Sequence, residues 1–134
     1  MKRTIILTVM MVIMLVIIGC GGNIENVYII NVNSTIYTKA EIDMAIEEAM
    51  EYFRLNYNGC TLKEIRYAGD GYKKEMEKLA EHYGAEEVII LLSAFEADAS
   101  GMDGSLNPNK TYTDWKWVLI KDHHGKWKYV DHGY

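Results

Sequence analysis

Glu86-Glu87-Val88-Ile89-Ile90-Leu91-Leu92-Ser93-Ala94-Phe95-Glu96-Ala97 is the stretch on which the fold turns. Its centre, Val88 to Leu92, is five apolar residues without interruption. Gly84 precedes it and a polar loop follows from Asp98. A run of that length between a helix stop and a loop reads as a central strand, covered on both faces.

Upstream, Tyr72 to Tyr83 places Tyr72, Met76, Leu79, Ala80 and Tyr83 on one stripe, and Gly84 closes the helix that this spacing predicts. Thr61 to Tyr67 reads as a strand between Gly59 and Gly69-Asp70-Gly71. Before it, Thr38-Lys39-Ala40-Glu41 matches a capping box. Ile42, Ala45, Ile46, Ala49, Met50 and Phe53 then form an apolar stripe, with Glu47, Glu48, Glu51 and Arg54 on the other side. This predicts a helix over residues 39–57, stopped at Asn58-Gly59. Asn26 to Asn33 (NVYIINVN) is β-prone and reads as either an edge strand or an extended stalk.

Downstream, Asp98 to Thr111 is a polar loop holding the single proline, Pro108. Residues 112–121 and 126–132 read as two strands joined by the hairpin turn Asp122-His123-His124-Gly125. The order is helix, strand, helix, strand, strand, strand. It predicts an α+β domain over 38–134, with two helices packed on a curled antiparallel sheet.

The first residues carry a different message. Met1-Lys2-Arg3 is a short basic start, and Thr4 to Ile18 is uncharged and apolar. Gly19 and Cys20 follow. This describes an export signal over residues 1–19. Ile17-Ile18-Gly19-Cys20 resembles the bacterial lipobox. The resemblance implies cleavage after Gly19 and thioether lipidation of Cys20, which would hold the protein to the bilayer on the extracytoplasmic face of the cell membrane. Two or more acyl chains, at about 0.8 kcal/mol per buried methylene, suffice for stable anchoring. Gly21-Gly22-Asn23 reads as a flexible polar tether, within a linking segment of residues 20–37.

Composition narrows the functional classes. Without residues 1–19 the chain has 115 residues, the size of one domain. Losing Lys2 and Arg3 takes the 14 basic residues to 12, against 19 acidic ones, a net charge of −7. Such a domain is a poor partner for nucleic acid. Of the two cysteines, lipidation of Cys20 would leave only Cys60, so stability rests on a buried core rather than a disulfide. Cys60 itself reads as a small buried hydrophobe.

Residues 86–98, the loop Gly104-Ser105-Leu106-Asn107-Pro108-Asn109, Thr111-Tyr112, residues 115–120 and the tail Asp131-His132-Gly133-Tyr134 together resemble a group of small lipoproteins of Gram-positive bacteria. The resemblance covers residues 40–134. It implies a cystatin-like or nuclear-transport-factor-2-like α+β domain, and it carries over no activity, cofactor or catalytic residue.

The residues themselves offer few chemical constellations. Asp98, Ser100, Asp103, Ser105, Asn107 and Asn109 put oxygen ligands on one loop, with Asp98 and Asp103 the weak candidates for a metal. The EF-hand pattern is missing, however, and these residue types are also those of ordinary turns. His82, His123, His124 and His132 lack zinc-ligand spacing. Asp131 and His132, adjacent on a strand, point to opposite faces and make a poor acid–base pair. Trp115 and Trp117 share one strand face, as do Trp127 and Tyr129. These four aromatics form either the core of the sheet or a concave pocket for an envelope peptide or glycan. No phosphate-binding glycine loop, Gly-x-Ser-x-Gly elbow or Cys-His pair is present. The expectation is a binding or interaction module without a cofactor, whose partner is an envelope protein, peptide or glycan; a small enzyme with a helix–sheet pocket is the alternative. A third reading is a purely structural or inhibitory protein that closes onto a partner through an exposed edge strand such as residues 26–33.

Overall fold

The structure is a computed structural model and describes residues 21–134. The expected signal segment and the lipidation residue Cys20 lie outside the described residues. In chain order the elements are β1 (Tyr28–Ile30), α1 (Lys39–Asn56), β2 (Cys60–Tyr67), α2 (Lys73–Tyr83), β3 (Val88–Ala97), β4 (Thr111–Lys121) and β5 (Trp127–Gly133). A single 3₁₀ turn, Asp70–Tyr72, leads into α2.

The five strands form one open sheet in the order β1-β2-β3-β4-β5. From β2 to β5 all neighbours are antiparallel, but β1 pairs with β2 in parallel. The wholly antiparallel sheet expected from the sequence is therefore corrected to a mixed one. The cause is connectivity: β1 reaches β2 through α1, and a helical crossover returns the chain in the same direction. The segment that read as strand or stalk is an edge strand three residues long.

The two helices cover opposite faces. α1 sets Phe53 and Tyr57 against Trp117 of β4, with ring centroids 6.4 and 5.2 Å apart. Lys116, one residue earlier, points the other way. There its ammonium lies 2.6 Å from Glu75 of α2. Both faces of β3 are thus roofed, and Ile89, Ile90 and Leu91 are each 0% exposed. That burial explains why β3 is continuously apolar rather than alternating.

Local signals set the helix limits. Thr38 Oγ1 accepts the Glu41 N–H at 3.2 Å, and the Glu41 carboxylate accepts the Thr38 N–H at 2.8 Å, completing the capping box. α1 buries Ile42, Ala45, Ile46, Ala49 and Phe53, the stripe its spacing predicts. α2 stops at Gly84, whose φ of 62° is the left-handed conformation that glycine adopts without strain.

Residues 21–24 differ from expectation. In place of a free tether, the Gly22 N–H donates to the Arg54 carbonyl at 3.0 Å and the Asn23 N–H to the Cys60 carbonyl at 2.8 Å. The Leu62 N–H returns a bond to Asn23 at 2.9 Å. A Cβ on Gly21 would stand 2.2 Å from the Arg54 oxygen, and one on Gly22 would stand 2.6 Å from the Phe53 ring. The two glycines are here for close approach to the end of α1.

Candidate binding groove and aromatic cluster

α1 runs over β2, β4 and β5, while β1 stands at the sheet edge. Between β1 and the first half of α1 lies a groove of about 840 Å³. One wall is the continuous segment Ile29–Ser34; the other comes from α1, with Ile42, Asp43, Ile46 and Glu47. Lys39 and Asp43, on its rim, form an i,i+4 ion pair at 2.7 Å. Tyr37 closes the inner end. Its hydroxyl donates to the Val88 carbonyl at 2.5 Å, and its ring meets Tyr67 and Trp127 edge-on. Burial, and then the charge of Glu87, push the Tyr37 phenol far above its ordinary pKa, so it stays a neutral donor.

One carboxylate fixes the lip of the groove. Asp70 accepts from Ser34 Oγ at 2.6 Å, from the Thr35 N–H at 2.8 Å and from the Tyr67 hydroxyl at 2.9 Å. Ser34 Oγ in turn accepts the backbone N–H groups of Ile36 and Tyr37 at 3.0 Å. These donors, Ser34 foremost and then Thr35, hold the Asp70 carboxyl down at about 2. The segment between β1 and α1 is thereby tied to the turn before α2.

The four aromatics singled out in the sequence all face α1. Trp117 is fully buried, Trp115 and Trp127 nearly so, and Tyr129 is half-buried, stacked on Tyr52 at 3.7 Å. Each indole N–H has a partner, as buried tryptophan requires. Trp117 Nε1 donates to Ser93 Oγ at 2.8 Å, Trp115 Nε1 to the Tyr57 hydroxyl at 3.2 Å, and Trp127 Nε1 to the Glu41 carbonyl at 3.0 Å. Ser93, the buried polar residue of β3, also donates to the Trp115 carbonyl at 3.3 Å. The four side chains are core joints between sheet and helix, and the groove is built from other residues.

His132 joins this cluster. Its ring stacks on Trp115 and on Tyr129, with centroids 5.6 and 5.8 Å away. Its Nδ1 is hydrogen-bonded to the Tyr129 hydroxyl. Packing among rings disfavours the imidazolium and lowers the His132 pKa, with Asp131 opposing the shift. Strict alternation puts residues 129 and 132 on opposite faces. A register shift against Val118 and Leu119 of β4 brings them to the same one. That irregularity leaves no mark in the sequence, so the Tyr129–His132 contact was out of reach of periodicity.

The remaining candidates are dispersed. Asp98 Oδ1 accepts the Ser100 hydroxyl at 2.5 Å and the Ser100 N–H at 2.9 Å, and these contacts, the hydroxyl first, lower its pKa. Asp103 stands exposed at the loop tip with a φ of 56°. Among the described residues no group of three or more His, Cys, Asp or Glu is placed to hold a metal. His123 and His124 are exposed on the β4–β5 turn. Cys60 is 1% exposed, and burial followed by the nearby Asp98 charge raises its thiol to about 11, leaving it unreactive at neutral pH. No helix among the described residues is long and apolar enough to cross a membrane.

The groove residues Ser34, Tyr37 and Ile42 escaped attention as site residues in the sequence. One signal was there. Val27 to Ile30 is apolar at consecutive positions, yet it belongs to an edge strand with Tyr28 69% and Ile29 49% exposed. Comparison with known proteins finds no matching family model, no matching curated protein and no matching solved structure.

Proposed function

We propose that this protein is a lipid-anchored, extracytoplasmic binding module that takes an extended, apolar-rich peptide of an envelope protein into the groove between β1 and α1. The observation that carries the reading is the groove itself, which runs beside a sheet edge, β1, whose outer side has no strand partner among the described residues. An extended peptide can add to such an edge as a further strand, with alternate side chains entering the apolar cleft. Ile29, Ile30 and Val32 supply the accessible apolar lining, over the buried Ile42 and Ile46. A glycan is a weaker fit, because sugars stack on open aromatic faces and the tryptophans here lie under α1. The lipid anchor follows from the lipobox-like Ile17-Ile18-Gly19-Cys20, and the likeness to small Gram-positive lipoproteins supports it.

An enzymatic reading meets an obstacle. Its cavity and its shifted imidazole are in different places: the groove is lined by Asp43 and Glu47, whereas His132 stands among the aromatics of β4 and β5.

The test is a peptide array probed with the purified protein, wild type beside Ile29→Arg. Ile29 is half exposed, so the variant keeps its fold. Selected peptides with alternating apolar residues should lose tenfold or more in affinity, about 1.4 kcal/mol. Unchanged binding by Ile29→Arg would place the ligand elsewhere, and turnover of an envelope substrate would sink the non-enzymatic reading.

A further inference from the structure

We infer that the domain is seated directly on the bilayer, with the C-terminal end of α1 toward the lipid and the groove turned away from it. The inference rests on the lipid-anchor reading of Cys20 and adds an orientation to it. Its evidence is the path of residues 21–24.

The residue after the anchor has no slack. The Gly21 carbonyl accepts the Gly59 N–H at 3.4 Å, Gly22 is bonded to Arg54, and Asn23 makes an isolated parallel bridge with Thr61. The backbone passes so close to the end of α1 that neither glycine has room for a Cβ. One Cα step, about 3.8 Å, separates position 20 from this seat. Acyl chains on Cys20 can enter a bilayer only if the bilayer comes up to the adjoining surface. That surface includes the last turn of α1, where Leu55 is 59% exposed, and the turn Asn58-Gly59.

The chemistry of this end suits a lipid surface. Asn23, Asn56 and Asn58 are neutral amides and Arg54 is paired with Glu51, so Asp98, which faces Gly59 and is bonded to Ser100, is the charge left beside this turn. The net charge of an acidic domain would otherwise oppose approach to an anionic leaflet. From Arg54 to Ile42 in the groove is about 18 Å along the helix axis, at 1.5 Å per residue. A ligand in the groove is then reached from the side away from the membrane.

The experiment uses full-chain protein recovered from membranes, with its intact mass read first. It is reconstituted in phosphatidylcholine vesicles carrying a headgroup acceptor dye. A donor is attached at Asn56→Cys or at Lys39→Cys, each in a Cys60→Ala background; the two sites are about 26 Å apart along α1. Energy transfer from position 56 should be several-fold stronger than from position 39. Inserting a ten-residue Gly-Ser linker between Cys20 and Gly21 should bring position 56 down to the level of position 39. Equal transfer from both sites in lipidated wild-type protein would overturn the orientation and leave the anchor standing, as would a difference that survives the insertion. A mass without lipid would remove the anchor, and the orientation with it.

Discussion

The two halves of α1 carry the same apolar stripe and meet very different surroundings. In the C-terminal half, Tyr52, Phe53 and the capping Tyr57 interlock with Phe95, Trp117 and Tyr129, with ring centroids between 3.7 and 6.4 Å. In the N-terminal half, Ile42 and Ile46 border a groove. What differs is the side chain opposite. Large rings from β3, β4 and β5 reach across the layer at one end. At the other, Trp127 of β5 meets the helix at Glu41, and beside it β1, three residues long and on the edge, leaves a groove open over the buried Ile42 and Ile46. An amphipathic stripe therefore says that a helix has an inside, and the opposing element decides whether that inside is filled.

This contrast can be broken most forcefully at Trp117. Trp117→Ala should cost about 3–5 kcal/mol, because it empties the centre of the ring cluster and strips a donor from Ser93. Urea unfolding measures it, and a loss near that of a surface substitution would mean the cluster collapses around the void. Ser93→Ala is the milder probe. It leaves the buried Trp117 N–H without its acceptor and should cost about 1–3 kcal/mol. A neutral result in the same assay would mean that water replaces the hydroxyl.

The groove end calls for a pH experiment. The Asp70 carboxyl titrates at about 2, below its ordinary 3.8. Its contribution is therefore complete above pH 3.8 and is lost as the pH falls toward 2. The unfolding midpoint of wild type should drop across that window, and Asp70→Asn should flatten this part of the profile. The carboxylate is half-buried and still screened by solvent, so the change should be the smallest of the three. Parallel curves for wild type and variant would show that the Ser34–Asp70 clamp does not hold the lip.

The same contrast explains what could be read in advance. Both helices and the strands β2 to β5 follow from apolar spacing and from punctuation at Thr38, Gly59, Gly84 and Gly125, so their limits fall within about two residues of expectation. The continuous run 88–92 even implied cover on both sides of β3, which α1 and α2 provide. Periodicity assigns a residue to a face only while alternation holds, however. Register shifts at Leu62/Glu64, Ser93/Phe95 and Val118/Leu119 break it, and with it the partners of His132. The groove was hidden for a different reason. Its walls, residues 29–34 and 37–47, are a single stretch of chain, and the space between them depends on how far β1 diverges from α1. No local pattern encodes that distance. Gly21-Gly22 misled for a third: glycine serves flexibility and close approach alike, and only the neighbouring Arg54 carbonyl distinguishes them.

The parallel pairing of β1 also orders the events of folding. Strands β2 to β5 lie side by side in chain order and can zip together through local connections. β1 comes first in the chain, but its register partners, Glu64 to Arg66, arrive only after α1 has been laid down. A parallel pair must close that long loop before it gains anything. β1 is therefore expected to be the last strand to join, with the groove forming only in the finished molecule. Any ligand held there binds the complete fold in preference to every earlier state, and by mass action it locks the final step.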